Sequence, residues 1–254
     1  SFAHGAPFIT TGTDVVEATG LKSRTLQTTK GISIIKGDSK AADSIHARAH
    51  DFNRCGGYME HATLAEAMTA VKDLSTPSIA PIKYTVTNDS YITTLITKVQ
   101  EPEIRATIEG LSAFKNRFYK SATGRTSVEW LKKRWEGYAK NRTDIDVRLY
   151  EHKSWKQPSL IATIKGTTDE VVVIGGHLDS ISGWFGGDNT APGADDNASG
   201  TSTVTEIFRI LATSDYKPKR TIQFMGYAAE EVGLKGSNEI AKEYKSKGIP
   251  VVAV

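Results

Sequence analysis

The sequence predicts an α/β fold in which a mixed, largely parallel central sheet is flanked by helices as a three-layer sandwich, after a small N-terminal segment. Strand patterns alternate with helix patterns from about residue 102 to the end of the chain. The run Val171–Ile174 is β-branched and free of polar residues, which indicates a strand buried on both faces. Residues 1–85 lack comparably long periodic segments, so the chain is expected to have two parts.

The N-terminal part is predicted to contain short elements. Residues 32–35 form a strand-like run, and apolar residues at helical spacing predict a helix over 63–74. The stretch 75–81 has two prolines among small residues and is typical of a linker. We therefore predict a boundary within 76–90, with a segment 1–85 and a second domain 86–254.

The second domain begins with two predicted helices. Pro102 and Glu103 suit a first helical turn, and apolar residues continue on one face as far as Phe118. The residues Thr126–Glu129 have capping-box spacing and predict a helix over 126–138. The later pattern predicts strands at 145–149, 160–164, 171–174, 221–225 and from 251, and helices at 200–211 and 237–244.

Composition excludes several classes of protein. The 32 basic residues nearly balance 29 acidic ones, and no basic cluster is interleaved with aromatic residues, so nucleic acid is not an expected partner. No run approaches the roughly 18 apolar residues that a membrane span needs, so no membrane partner is expected. The single cysteine, Cys55, cannot form an internal disulfide and is interpreted as a small buried thiol.

Polar residues follow the two most apolar strands. His177 and Asp179 come directly after the 171–175 strand, and Glu230 and Glu231 follow the 221–226 strand. Asp196, preceded by a second aspartate, lies in the loop before the 200–211 helix. Because functional residues gather at the carboxyl ends of strands in open α/β sheets, these three segments can reach one crevice.

The residue types in this crevice suit zinc, which takes imidazole and carboxylate ligands. In the pattern H-x-D, Asp179 can hydrogen-bond the ring nitrogen of His177 that is not on the metal. Of the two glutamates, one can bind metal while the other moves a proton. Each signal alone has a structural alternative: a core histidine, an aspartate capping a helix, or a solvated glutamate pair. Their combination favours the metal site.

Three segments carry a resemblance to a known family. The segments VVVIGGHLDS, APGADDNASG and RTIQFMGYAAEEVGLKGS resemble the co-catalytic zinc aminopeptidases typified by secreted bacterial leucyl aminopeptidase. The resemblance extends from about Pro102 to the end of the chain and includes SAFKNRFYKSATG at 112–124.

The resemblance implies a pair of zinc ions and a role for each site residue. His177 resembles the terminal ligand of one zinc, Asp196 the carboxylate that bridges both ions, and Glu231 a ligand of the other. Glu230 resembles the general base, and Asp179 the partner that orients His177. The family also implies a cis peptide bond after Asp196.

The resemblance also concerns both ends of the chain. The segment RCGGYMEHATLAEAM at 54–68 resembles a propeptide, which implies that residues 1–85 act as an intramolecular chaperone or inhibitor and are removed on maturation. Two further metal ligands, an aspartate and a histidine, are expected beyond Val254. We therefore interpret the catalytic domain as truncated at its C-terminus, and do not expect tight binding of a zinc pair or full activity from this chain alone.

The hypothesis from sequence is a zinc aminopeptidase that releases a large hydrophobic N-terminal residue, such as leucine, from peptides. By the same resemblance, the protein is expected to be a secreted monomer made as a zymogen. Two alternatives stay open. One is another co-catalytic zinc hydrolase, such as a carboxypeptidase or deacylase, and the other is a non-catalytic binding module on the same fold.

Overall fold

The computed structural model describes residues 7–52, 54, 57–75, 89–182 and 189–254. The chain divides into two compact units, of which the first is residues 1–85 with Glu231–Lys235 and the second is residues 86–230 with 236–254. Cys55 and most of the predicted 75–81 linker lie outside the described residues. The interpretation of 1–85 as a propeptide remains a prediction.

The first unit is built on an antiparallel sheet with the strand order β2-β3-β1-β4. The sheet face packs Ile34 against Ala67 and Val71. The predicted strand at 32–35 and the predicted helix at 63–74 are both confirmed. In chain order the elements are β1 (Phe8–Gly12), α1 (Thr13–Ala18), β2 (Thr25–Thr29), β3 (Ile32–Lys36), α2 (Ser39–Ala49), β4 (Tyr58–His61) and α3 (Leu64–Ser75).

The second unit is a mixed sheet with helices. Its elements are α4 (Asp89–Ile96), α5 (Glu101–Ser112), α6 (Ala122–Ala139), β5 (Ile145–Tyr150), β6 (Ser159–Ile164), β7 (Thr168–His177), α7 (Gly200–Ala212), β8 (Arg220–Tyr227), α8 (Lys235–Ser246) and β9 (Val251–Ala253). The strand order is β5-β6-β8-β7-β9. The β7–β8 and β7–β9 pairs are parallel, and the β5–β6 and β6–β8 pairs are antiparallel. Two of these four strand pairs are therefore parallel. The β5–β6 pair is antiparallel because these strands are consecutive and a short connection joins them.

Helices cover both faces of this sheet. On one face, Trp135 of α6 and Phe208 of α7 pack against Phe224 of β8. On the other face, Ile240 of α8 packs against Val173 of β7 in a second buried cluster. The predicted α/β fold with a mixed sheet between helical layers is therefore confirmed.

Two predicted helix boundaries differ from the structure. Helix α5 ends at Ser112, so the apolar residues that follow it belong to a loop. Helix α6 begins at Ala122, four residues before the predicted start, because the Ser121 hydroxyl accepts a hydrogen bond from Gly124 N. The hydroxyl of Thr126 donates to the Ala122 carbonyl inside the helix instead of capping it. Within the described residues, no helix is long and apolar enough to cross a membrane.

Candidate metal centre

Two neighbouring parallel strands, β7 and β8, bring predicted site residues to one edge of the sheet. His177 is the last residue of β7 and pairs in register with Tyr227, the last residue of β8. The Leu178 amide donates to the Tyr227 carbonyl at 2.7 Å, so the two chains stay together past the strand ends. Glu230 follows three residues later. The site therefore lies at the carboxyl edge of the two most central parallel strands.

The His177 ring is buried among carboxylates. Its Nε2 lies 2.8 Å from Asp196 Oδ1 and 3.8 Å from Glu230 Oε2. Its Nδ1 lies 3.2 Å from the Asp179 carbonyl and 3.5 Å from Asp179 Oδ1. Asp179 Oδ1 also accepts a hydrogen bond from Glu230 N at 2.9 Å. Asp179 thus contacts both the ring of His177 and the backbone of Glu230.

Asp196 lies in an irregular turn, Ala194–Ser199, that leads into α7. The φ and ψ of Asp196 are −107° and 96°, outside the helical region, and the peptide bond from Asp196 to Asn197 is cis. Asn197 Oδ1 accepts from Gly200 N at 2.9 Å, and Thr201 Oγ1 donates to the His177 carbonyl at 2.8 Å. The first turn of α7 is therefore tied to the end of β7.

Three side chains offer ligand atoms close enough to share a metal ion. One atom from each of His177, Asp196 and Glu231 lies within 4.8 Å of the other two. One imidazole and two carboxylates are a donor set that zinc commonly takes in proteins. His177 and Glu231 are buried, while Asp196 is partly exposed. The residues present therefore fit zinc, and the adjacent Asp195 is exposed and outside the group.

Glu230 is a buried carboxyl beside this group. Its Oε2 has no hydrogen-bond partner among the residues that the structure describes. Burial raises the pKa of Glu230 to about 7; His177 lowers this pKa, and the neighbouring carboxylates Asp179 and Asp196 raise it. This value belongs to the metal-free site, since a bound dication would favour the charged carboxylate and lower the pKa.

A buried hydrogen-bond chain that the sequence did not indicate reaches the segment before Glu230. Ala228 N donates to Ser159 Oγ at 3.0 Å, and Ser159 Oγ lies 2.8 Å from His152 Nε2. His152 Nδ1 lies 3.0 Å from Glu239 Oε2. Because a carboxylate only accepts, Nδ1 carries the proton and Nε2 accepts from Ser159. An isolated histidine in a loop after β5 offers no sequence signal for this role.

This hydrogen-bond chain predicts that the stability of the folded protein depends on pH. Burial lowers the pKa of His152, against the carboxylates of Glu239 and Glu151, which raise it. The unfolded chain therefore takes up this proton at higher pH than the folded chain. We expect a stability contribution that is present above the ordinary pKa of 6.5 and is lost as pH falls through the lowered value in the folded chain.

The measurement is the urea unfolding midpoint between about pH 8 and 5, compared with that of His152→Gln, which does not titrate. The wild type should lose more stability than the variant over this interval. Parallel pH profiles for the two proteins would show that His152 is not the source of the loss.

Comparison with known proteins gives similar solved structures and a matching family model. The chain is similar over 96% of its length to the LapA aminopeptidase of Legionella pneumophila, with a TM-score of 0.75 and 25% identity, covering 67% of that chain. LapB from the same organism gives a TM-score of 0.76 at 25% identity, with 96% of this chain and 68% of LapB covered. The α/β fold of this chain is thus similar to that of the LapA aminopeptidase and of LapB. Residues 159–254 match the family model of peptidase family M28.

The chain is also similar to curated proteins that are named leucine aminopeptidases. Leucine aminopeptidase 1 of Trichoderma harzianum is 41% identical over 157 residues, which cover 59% of this chain and 39% of the relative. Leucine aminopeptidase 1 of Colletotrichum graminicola is 34% identical over 209 residues, covering 80% of this chain and 51% of the relative. The chain therefore spans about half or less of the length of these relatives.

Proposed function

We propose that this chain is part of a zinc-dependent aminopeptidase that removes the N-terminal residue of peptides. The observation that carries the proposal is the grouping of His177, Asp196 and Glu231 within 4.8 Å, beside the buried carboxyl of Glu230. The match of residues 159–254 to peptidase family M28 and the leucine aminopeptidase names of the relatives support peptide hydrolysis. A large hydrophobic N-terminal residue, such as leucine, is the proposed substrate preference.

His177, Asp196 and Glu231 are the residues that would hold zinc, and the family resemblance implies that Asp196 would be shared by two ions. Bound zinc would supply Lewis-acid polarisation of the substrate carbonyl and a lowered pKa for water. Asp179 orients the His177 ring from the Nδ1 side, where it lies at 3.2 Å through its carbonyl and 3.5 Å through its carboxylate. The Nε2 atom of the ring is thereby directed at Asp196.

Glu230 is the proposed general base. Asp179 holds its backbone amide, while its Oε2 lies 3.8 Å from His177 Nε2 and has no hydrogen-bond partner among the described residues. An acceptor in this state can take a proton from the attacking water and return it to the leaving amine. Burial excludes bulk water as a competing proton acceptor.

Further parts of the proposal rest on the family resemblance. The protein is proposed to be a secreted monomer, made as a zymogen in which residues 1–85 act as chaperone or inhibitor. Turnover measured before and after proteolytic removal of residues 1–85 would test the zymogen proposal, since removal should raise turnover.

The proposed activity is tested with two substrates and a metal assay. The zinc-loaded intact enzyme, of which this chain is part, should hydrolyse leucine p-nitroanilide and leave N-acetyl-leucine intact, and a chelator should abolish turnover until zinc is restored. Hydrolysis of the N-acylated substrate alone would point to the deacylase or carboxypeptidase alternative. A chain that takes up no zinc from zinc-replete buffer would favour the non-catalytic binding module.

A further inference from the structure

The loop between α5 and α6 contains a fully buried arginine, Arg117. Its guanidinium donates to four backbone carbonyls: Nε to Leu178 at 2.8 Å, Nη1 to Leu111 at 3.2 Å and to Pro192, and Nη2 to Gly193 at 3.0 Å. A guanidinium has five donors in a fixed planar fork. Arg117 therefore connects chain segments that are about 60 to 75 residues away in sequence.

Three of these carbonyls, those of Leu178, Pro192 and Gly193, belong to the two segments that carry His177 and Asp196. Leu178 directly follows His177 at the end of β7, and Gly193 lies three residues before Asp196. The Gly193 backbone has a φ of 52°, and a side chain there would meet Arg117 Nη2 at 2.7 Å. The close approach of the Asp196 segment to the guanidinium thus depends on a glycine.

Neighbouring atoms of the same loop hold the same two segments. Arg117 N donates to Ser180 Oγ at 3.0 Å, and Ser180 Oγ donates to the Ala191 carbonyl at 2.7 Å. The Ala191 amide in turn donates to the Lys115 carbonyl at 2.8 Å. Asn116 Nδ2 donates to the Asn189 carbonyl at 2.9 Å. The two ligand-bearing segments are therefore linked to this loop and to each other.

We propose that Arg117 is a positioning residue for the metal centre, which fixes the separation of His177 and Asp196 through the backbones of Leu178, Pro192 and Gly193. This inference deepens the proposed zinc function and rests on it for the identity of the ligands. It gives the segment SAFKNRFYKSATG a physical role. Lysine cannot replace Arg117, because a single ammonium does not reproduce the planar fork that reaches separate carbonyls.

The test compares Arg117→Lys with a matched control, Arg142→Lys. Arg142 is also largely buried and donates to three carbonyls, those of Leu211, Ser214 and Tyr216, which carry no proposed ligand. Both substitutions remove a carbonyl-bound guanidinium and should lower the unfolding midpoint. Only Arg117→Lys should weaken binding of Zn²⁺ and Co²⁺, by about tenfold or more, and change the visible absorption of bound Co²⁺.

A readout without metal separates this inference from the proposed function. In the metal-free chain, the side-chain nuclear magnetic resonance signals of His177 should shift in Arg117→Lys and stay unchanged in Arg142→Lys. Unchanged His177 signals and wild-type Co²⁺ affinity in Arg117→Lys would overturn the positioning role, as would equal effects of the two variants. Failure of the zinc-loaded intact enzyme to cleave leucine p-nitroanilide would instead count against the proposed function alone.

A milder variant covers the possibility that Arg117→Lys does not fold. Ser180→Ala removes the hydroxyl that joins Arg117 N to the Ala191 carbonyl and leaves the guanidinium in place. It should shift the His177 signals in the same direction and weaken Co²⁺ binding by a few-fold. Wild-type signals and affinity in a folded Ser180→Ala would contradict the linkage of the two segments.

Discussion

In the intact enzyme, replacing Glu230 with glutamine should lower kcat/KM for leucine p-nitroanilide by about 10²–10⁴-fold while zinc content stays near that of the wild type. The substitution keeps the size of the side chain but removes its capacity to take a proton. Glu230 is not among the three residues whose ligand atoms converge, so metal binding should persist. Steady-state kinetics and zinc analysis of the same preparation measure both quantities.

Glu231→Gln is the matched comparison, since it changes the adjacent residue in the same way. Glu231 offers one of the converging ligand atoms, so this variant should lose zinc and turnover together. Loss of zinc from Glu230→Gln, with zinc retained in Glu231→Gln, would show that the two glutamates have the opposite roles.

Replacing Trp135 with alanine should cost about 3–5 kcal/mol in the free energy of unfolding. The Trp135 side chain is fully buried, and its ring centroid lies 5.1 Å from that of Phe208 in the core between α6 and the sheet. Its Nε1–H donates to Thr205 Oγ1 at 3.0 Å, so the substitution also removes the hydrogen bond of a buried hydroxyl. Urea denaturation followed by circular dichroism measures the loss.

Trp130→Ala provides the control within the same helix. Trp130 is only partly buried and packs at the edge of the same cluster, so its truncation should cost less than half as much. Similar losses at the two positions would mean that the core between α6 and α7 does not carry the stability assigned to it.

The secondary structure was largely predictable because burial imposes a local period on the sequence. The run Val171–Ile174 contains no polar residue, and the structure places it in β7, which has strand neighbours on both sides and buried clusters on both faces. The start of α6 was predicted wrongly. Thr126 and Glu129 have the spacing of a capping box, but Ser121 caps the helix, supported by Asn116 Oδ1 at 3.0 Å. Nothing in the local pattern distinguishes these two hydroxyl residues.

The candidate site was partly predictable for a related reason. Polar residues that directly follow apolar strands mark strand ends, and the structure has His177 at the end of β7 and Glu230 three residues beyond β8. Arg117 had no such signal, since an arginine in a polar loop is usually exposed. Its burial depends on carbonyls from residues 111, 178, 192 and 193, which only the folded chain brings together.

The sequence by itself determined the alternation of strands and helices, the strand ends that carry polar side chains, and the resemblance to zinc aminopeptidases. Each of these depends on neighbouring residues, whose period and order the sequence displays. Only the tertiary structure decided the strand order β5-β6-β8-β7-β9, the equal share of parallel and antiparallel pairs, and the burial of Arg117 between the two ligand-bearing segments. These features depend on contacts between residues far apart in the chain, which no local pattern encodes.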